Sequence, residues 1–274
     1  MALLGRKLAV SFPDTVLEEK ESPRDKTAKL GLIARACSIY GVDVIEVFRD
    51  PSGKGEGDAI RKVLEYLETP QYLRRRLYPL DETLRFAGLL PPLRIPSHRA
   101  KAPMDKVPQG QVREGVANPD GTVDLGLDSP FLLKGRARAG QRVTARIESV
   151  KPPMAELISR DAVKEYWGYR VETASVDKAL SDERFRLRIA TSRLGAPIMA
   201  EMGRLGAALG GAGSLKLIFG APSKGLYDLM GRDLDRRVDF VVNLFPEQKV
   251  ETVRTEEAIY VGLGLISVLS AGKA

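Results

Sequence analysis

Hydrophobic and polar positions change rhythm several times along the chain, and each change predicts an element. Lys7 to Phe12 reads as a first strand closed by Pro13-Asp14, and Glu18 to Lys26 as a charged, turn-rich connection. From Thr27 the apolar residues Leu30, Ile33, Ala34, Ala36, Cys37 and Tyr40 follow the helical period and stop at Gly41. Val42 to Phe48 then predicts a second strand, and strand, helix, strand at this spacing predicts a βαβ unit with its strands parallel. Asp50 to Gly57 reads as a flexible loop, Asp58 to Leu67 as a helix, and Pro70 as the start of a short helix carrying Arg74, Arg75 and Arg76.

After Leu93 the rhythm shortens. Gln111 to Val116, Thr122 to Leu127 and Arg142 to Val150 are β-like runs set among Gly, Pro and Asp turns, which predicts a small β-barrel, with Pro91-Pro92 and Pro152-Pro153 punctuating its ends. Beyond it Tyr166 to Ala174 and Phe185 to Thr191 read as strands, Val176 to Leu180 as a helix, and Gly203 to Gly213 as a closely packed helix. In the last sixty residues two short apolar strands, Leu215 to Phe219 and Val238 to Val242, each run into a turn, Gly220 to Gly225 and Asn243 to Gln248. Thr255 with Glu256 and Glu257 then opens a helix through Ile259, Val261, Leu263 and Ile266, its acids in the first turn where the dipole favours them. Strand ends and a helix start therefore converge, and in open α/β sheets ligands sit beyond the carboxyl ends of the strands.

Composition narrows the classes. The 274 residues are 43% hydrophobic, ample for a core, with no run of eighteen apolar residues, and Met1 to Val10 is too short for a signal-peptide core, so a soluble, cytoplasmic protein is expected. One cysteine, Cys37, and one histidine, His98, exclude an internal disulfide and a cysteine- or histidine-based metal centre. A net charge of +7 suits a polyanionic partner. The Gly220 to Gly225 turn is not a P-loop, because Lys224 is followed by Gly225 rather than Ser or Thr.

The order Phe-Gly-Ala-Pro-Ser-Lys-Gly ending at Gly225, Asn-Leu-Phe-Pro-Glu-Gln ending at Gln248 and Thr-Val-Arg-Thr-Glu-Glu-Ala-Ile ending at Ile259 resembles the knotted tail of the SPOUT superfamily of S-adenosylmethionine-dependent RNA methyltransferases. It is closest to the archaeal and eukaryotic branch that carries an oligonucleotide-binding insertion. Lys26 to Cys37, Tyr66 to Leu73, Leu89 to Leu93, Tyr166 to Tyr169 and Thr191 to Arg193 extend the resemblance over nearly the whole chain. It implies an α/β fold, a trefoil-knotted SPOUT methyltransferase core of residues 1–93 and 165–274, with a small OB-like β-barrel inserted at 94–164. It also implies a homodimer, the cofactor S-adenosyl-L-methionine and an RNA substrate, most simply ribosomal RNA methylated at N3 of a uridine. Ribose 2′-O methylation of tRNA or rRNA, and an RNA-binding protein without turnover, are the alternatives. The cofactor would be held by Thr191 and Ser192, by Phe219, Gly220, Ala221 and Gly225, by Asn243, Leu244, Pro246 and Gln248, and by Thr252, Arg254, Thr255 and Ala258. One departure from the family is Glu247 before Gln248 and Lys249-Val250 after it, where a glycine is common.

Single residues carry further expectations. Arg35, two helical turns before Gly41-Val42, is similar to the arginine of the first motif of tRNA 2′-O-ribose methyltransferases, which implies a catalytic role on the target nucleotide. An interface ion pair is the competing reading. Glu256 or Glu257 facing the cofactor's sulfonium weighs less than two acids stabilising a helix start. Cys37 on an apolar stripe reads as a buried structural thiol rather than a nucleophile, His98 as a surface or RNA-contacting residue, and Trp167 as core. The basic groups Arg74, Arg75, Arg76 and Lys134, Arg136, Arg138, Arg142, Arg146 predict a groove for an RNA backbone.

Overall fold

The computed structural model describes residues 6–17, 21–51 and 53–271, so the expected connection from Glu18 lies partly outside the described residues. The N-terminal strand β1 (Lys7–Pro13) leads to helix α1 (Pro23–Ile39) and strand β2 (Val44–Arg49), and β1 and β2 pair in parallel, as the spacing predicts. Helix α1 starts four residues earlier than the apolar period indicates. Ser22 caps it, its hydroxyl accepting from the Asp25 amide at 3.2 Å, with Pro23 in the first turn, where a missing N–H costs nothing. Helices α2 (Gly57–Glu68) and α3 (Gln71–Leu77) follow.

Strands β3 (Val112–Ala117), β4 (Thr122–Asp124), β5 (Phe131–Lys134), β6 (Arg142–Val150) and β7 (Pro153–Ile158) close a barrel in the order β3-β4-β5-β7-β6. Its core is Val123, Leu125, Phe131, Val143, Ala145, Ile147 and Ala155, every one nearly inaccessible. Two of these strands, β5 and β7, were not foreseen. Pro152-Pro153, expected to mark the end of the barrel, lies between β6 and β7, and Pro153 opens β7, where a proline removes no needed donor.

The last third of the chain carries β8 (Arg170–Ser175), α4 (Val176–Ser181), β9 (Leu187–Pro197), α5 (Ile198–Gly211), β10 (Ser214–Ile218), α6 (Leu226–Met230), α7 (Leu234–Arg237), β11 (Phe240–Asn243) and α8 (Thr255–Ala271). Six strands form one sheet in the order β11-β9-β10-β1-β2-β8, with every neighbouring pair parallel. Helix α8 packs against both α1 and α5.

Contacts group the chain into two compact units. One comprises Met1–Glu65, Phe86–Pro91 and Tyr169–Ala274, and the other Tyr66–Arg85 and Pro92–Gly168. The stretch 66–85, expected with the sheet, groups instead with the barrel. The Tyr72 hydroxyl donates to the Glu114 carbonyl at 2.7 Å, and Arg76 meets Asp124 and Asn118. Tyr166 to Gly168, expected as strand, also belong to that unit, and β8 begins only at Arg170.

The sheet carries a buried ion cluster. Lys216 on β10, wholly inaccessible, places Nζ 2.8 Å from Glu46 Oε1, 3.1 Å from Asp182 Oδ2 and 3.1 Å from the Ala179 carbonyl. Ser11 donates to the same Glu46 oxygen at 2.8 Å. Burial alone would raise the Asp182 carboxyl, but hydrogen bonds from Arg184 and Lys216 outweigh it and hold the group well below the usual aspartate range. Removing one member of such a cluster strands a buried charge, so Lys216→Met is expected to cost about 3–5 kcal/mol in urea unfolding. Adding Glu46→Gln should recover part of that loss. A group with a depressed folded pKa contributes stability above its unfolded pKa and loses it as pH falls through the folded one. The difference in urea midpoint between wild type and Asp182→Asn should therefore be largest near neutrality and shrink below the ordinary aspartate range.

Candidate active site

A cavity of about 470 Å³ lies beyond the carboxyl ends of β10 and β11 and against the middle of β9. Its shape starts from an interruption in pairing. Strand β11 pairs with β9 through Val241 opposite Ala190, and the next pair is Val242 opposite Ala196, so five residues of β9, 191 to 195, leave the ladder. Gly195 is required there, because a Cβ would lie 2.8 Å from the Val241 carbonyl oxygen. The Asn243 side-chain amide donates to the Arg193 carbonyl at 2.9 Å and holds the looped-out backbone. Thr191 and Ser192 on this segment line the cavity, together with Arg193 and Leu194.

A second wall is the turn after β10. The Ala221 amide donates to the Lys224 carbonyl at 3.0 Å and the Lys224 amide returns to the Ala221 carbonyl at 3.3 Å, which closes the turn on itself. Asp228 caps the following helix by accepting from the Gly225 amide at 2.8 Å. Lys224 reaches Asp50 at the end of β2, 3.4 Å away, and anchors the turn from behind. Phe219, Gly220, Ala221 and Gly225 line the cavity here. A Cβ on Gly220 would lie 3.0 Å from Gly225 Cα and 3.2 Å from the Leu226 nitrogen, so only glycine lets these backbone segments approach without displacement.

The third wall is the segment after β11. Asn243 Oδ1 accepts from the Phe245 amide at 2.9 Å, and the Gln248 side-chain amide donates to the Val250 and Glu251 carbonyls at 3.0 and 3.1 Å. Thr255 Oγ1 donates to the Gly220 carbonyl at 3.0 Å and joins this segment to the turn after β10. Asn243, Leu244, Gln248, Thr252, Thr255 and Ala258 line the cavity, and Pro246 and Arg254 do not. Pro246 occupies the exposed tip of a turn closed by the Gln248 amide on the Phe245 carbonyl. Arg254 sits just outside α8, its amide donating to Glu257 Oε2 at 2.9 Å. Phe245, Val253, Tyr227 and Asp228 are lining residues that motif reading passed over. They neighbour the motif positions, and only the course of the backbone decides which neighbours turn inward.

Neither Glu256 nor Glu257 lines the cavity. Glu257 caps the helix start, and Glu256 is buried with its Oε2 lacking a hydrogen-bond partner, its carboxyl raised by desolvation. Cys37 is wholly buried and burial pushes its thiol up, the state of an inert core thiol. Arg35 lies on the exposed face of α1, near Tyr260 of α8, and is not among the lining residues. Among the described residues no cluster of His, Cys, Asp or Glu is placed to hold a metal ion, and no helix is long and apolar enough to cross a membrane.

The cations of the barrel unit divide into two sets. Arg142, expected on an RNA-facing groove, is instead enclosed, with Nε 2.6 Å from Glu114 Oε2 and Nη1 2.7 Å from Glu68 Oε2. Arg160 also reaches Glu68, at 2.8 Å. Burial alone would raise the Glu114 carboxyl, but Arg142, Thr144 and the Trp167 indole hold it below the usual range. Strand alternation correctly turns Arg142 out of the barrel core, but the outer face at this point is covered by Glu68, Glu114 and Trp167. Arg74 is likewise corrected: it is buried, donates to the Thr69 and Leu67 carbonyls at 2.9 and 3.0 Å, and stacks on Tyr66. Arg76 pairs with Asp124, Lys134 with Glu148 at 2.5 Å and Arg146 with Glu156 at 3.4 Å. Arg75, Arg136 and Arg138 are exposed and without an ion-pair partner among the described residues. His98, expected at the surface, is packed with Nε2 2.7 Å from the Glu68 carbonyl, and desolvation lowers its pKa.

Residues 7–266 match the family model described as "Putative RNA methyltransferase". An uncharacterized protein of Haloarcula marismortui is 32% identical over 95% of this chain and 98% of its own length. The human and mouse proteins named 28S rRNA (uridine-N(3))-methyltransferase are each 31% identical over 94% of this chain, which spans 77% and 75% of their lengths.

Arg142 and Arg136 are expected to separate in a stability measurement. Arg142→Ala leaves Glu68 and Glu114 buried without their shared partner and should cost about 3–5 kcal/mol. Arg136→Ala, on the surface, should stay within about 0.5 kcal/mol. Urea unfolding followed by fluorescence of Trp167, the single tryptophan, checks both.

Proposed function

Because the chain belongs to this RNA methyltransferase family, we propose that it transfers the methyl group of S-adenosylmethionine to ribosomal RNA, at N3 of a uridine. The observation that carries the cofactor assignment is the cavity, whose size falls in the range of roughly 300–1,000 Å³ common to small-molecule sites. Its walls combine the backbone of two tight turns with an apolar set, Leu244, Phe245 and Val253, and a hydroxyl set, Thr191, Ser192 and Thr252. An adenine ring suits the apolar set and the backbone groups. A ribose and an amino acid moiety suit the hydroxyls, and Gly220 supplies the close backbone approach. S-adenosylmethionine bound there would supply a methyl group on a positively charged sulfur. The protein's part is to orient the nucleophile in line with that methyl group and to exclude water. The uridine assignment rests on the names of the human and mouse relatives, and the exposed Arg75, Arg136 and Arg138 are the cations offered to the RNA backbone. Release of the N3 proton needs an acceptor, and no histidine lines the cavity.

The SPOUT assignment and its trefoil knot belong to the same proposal. The Thr255 bond to the Gly220 carbonyl brings the segment after β11 against the turn after β10, an adjacency that a threaded tail requires. The homodimer is proposed from unpartnered apolar side chains. Leu32 and Ile39 on α1, Met199 and Met202 on α5 and Val268 on α8 are all exposed. Arg35 shares the face of Leu32 and Ile39, at i+3 and i+7 spacing, so on this reading it lies at the dimer interface and acts on a nucleotide bound to the partner subunit.

Wild type is expected to bind S-adenosylhomocysteine at micromolar strength, about −8 kcal/mol, and Gly220→Val to lose that binding in calorimetry. Normal binding by the variant would remove the turn from the cofactor site. Ile39→Glu should yield a 30 kDa species in light scattering. Arg35→Ala should keep the dimer and the cofactor affinity but slow single-turnover methyl transfer by about a hundredfold. Full turnover in a weakened dimer would make Arg35 an interface residue only. Nucleoside analysis of the labelled RNA distinguishes N3 from ribose 2′-O methylation, and absence of any transfer would leave an RNA-binding protein.

A further inference from the structure

Among the described residues Arg193 is the one basic residue that lines the cavity, and its setting is specific. It sits in the middle of the five residues of β9 that leave the ladder between Ala190 and Ala196. Its backbone is tied down, the carbonyl by Asn243 at 2.9 Å and the next amide, of Leu194, by Ser192 Oγ at 3.2 Å. Its side chain is exposed, and among the described residues its guanidinium has neither a hydrogen-bond nor an ion-pair partner. This contrasts with Arg142, Arg160 and Arg184, each held by carboxylates. The two acids that line the same cavity are Asp228, already engaged in capping Gly225, and Glu251. Leu194 beside it, also lining the cavity, is 72% exposed and offers an apolar surface next to the guanidinium. A fixed backbone, a free cation and an adjoining apolar side chain make a place for a flat, polar ring that becomes negatively charged.

We propose that Arg193 is a catalytic residue that contacts a carbonyl oxygen of the target uridine and stabilises the anion from which methyl transfer proceeds. The inference rests on the uridine methylation proposed above. In that step the N3 proton leaves to solvent water, and the electron pair left on N3 spreads over O2 and O4. N3 then forms a bond to the methyl carbon while the carbon–sulfur bond breaks, its electron pair returning to sulfur as a neutral thioether. Positive charge is lost at sulfur as negative charge is lost from the base, so a guanidinium at O2 or O4 is most useful before the transfer, when the anion forms. An opposite charge within hydrogen-bond reach favours the ionised form of the base. Arg193 therefore lowers the pH at which the bound uridine loses its proton.

The test uses the full-length protein, methyl-labelled S-adenosylmethionine and an unmodified large-subunit ribosomal RNA transcript, in single turnover at saturating protein across a pH series. Arg193→Ala is expected to be slowed about tenfold on the rising limb, the rate equivalent of a one-unit rise in the pH at which the bound uridine ionises. Its rising pH limb should move upward by on the order of one unit. Arg193→Lys should restore part of the rate and part of the shift, since an ammonium keeps the charge but not the two-pronged geometry. Calorimetry with S-adenosylhomocysteine should be unchanged in both variants, which excludes a collapsed cavity. A pH limb that stays in place in Arg193→Ala overturns the proposal. If fluorescence anisotropy then shows weaker RNA binding, the residue holds a phosphate instead. A wild-type protein that methylates no uridine overturns the uridine reading itself, which is a different result from a wild type that is active and an Arg193→Ala variant that is equally so.

Discussion

The cavity depends on a single interruption in a parallel ladder. A regular strand has no room for Thr191 to Gly195 between Ala190 and Ala196 while Val241 and Val242 are adjacent on the partner. The expelled residues lose their ladder partners, and an ordered backbone there needs hydrogen bonds from elsewhere to fix its course. Asn243 serves that need, donating through Nδ2 to the Arg193 carbonyl and accepting through Oδ1 from the Phe245 amide. One side chain thus orders two walls at once. Thr255 performs the same service between the second and third walls through the Gly220 carbonyl. The three walls are therefore mutually braced, and each brace runs between segments distant in sequence.

Charge is handled differently in the two units, yet by one principle. Lys216 with Glu46 and Asp182 in the sheet, and Arg142 with Glu68 and Glu114 in the barrel unit, are ions taken from water and compensated by close partners. Replacing a well-made buried pair with apolar residues often leaves stability unchanged, whereas removing one partner is strongly destabilising, so these clusters constrain what can be substituted more than they add to stability. They also explain why the basic groups overstate the surface available to RNA. Arg142 and Arg74 look, by position in the chain, like members of a cationic groove, but their charges are directed inward to carboxylates and carbonyls. What remains for a polyanion in the barrel unit is exposed and, among the described residues, without an ion-pair partner, Arg75, Arg136 and Arg138 in particular, where screening is strongest and each contact is salt-sensitive.

Elements with a strong local signal were legible in the chain. The parallel β1–β2 pair followed from its spacing, β6 ran over the residues its alternation marks, and the helix from Thr255 began where its acids place it. The start of α1 was also written in Ser22-Pro23 and Asp25, a capping signal that the apolar period alone overlooks. Strands β5 and β7 were hidden because Phe131 to Lys134 is too short for a visible alternation, and because Pro153 reads as a break when taken without its place at a strand's first residue.

The turns after β10 and β11 and the helix start at Thr255 were legible from spacing as parts of one site, because such turns fall at the carboxyl ends of parallel strands, whereas the wall at 191 to 195 lies inside β9 and was indicated only by the family resemblance. Of the fourteen residues that the resemblance implies for the cofactor, twelve line the cavity, and Pro246 and Arg254 are excluded by the turn and the helix start that they help to make. Which cations are free was decided only by the tertiary structure. The partners of Arg142, at Glu68 and Glu114, are 74 and 28 residues away, and those of Lys216, at Glu46 and Asp182, are 170 and 34 residues away. Arg193 owes its place at the cavity to a pairing jump against a strand some fifty residues later. Local composition encodes period and turn, whereas compensation of a buried charge is a property of pairs, and the pairs meet only after the chain has folded.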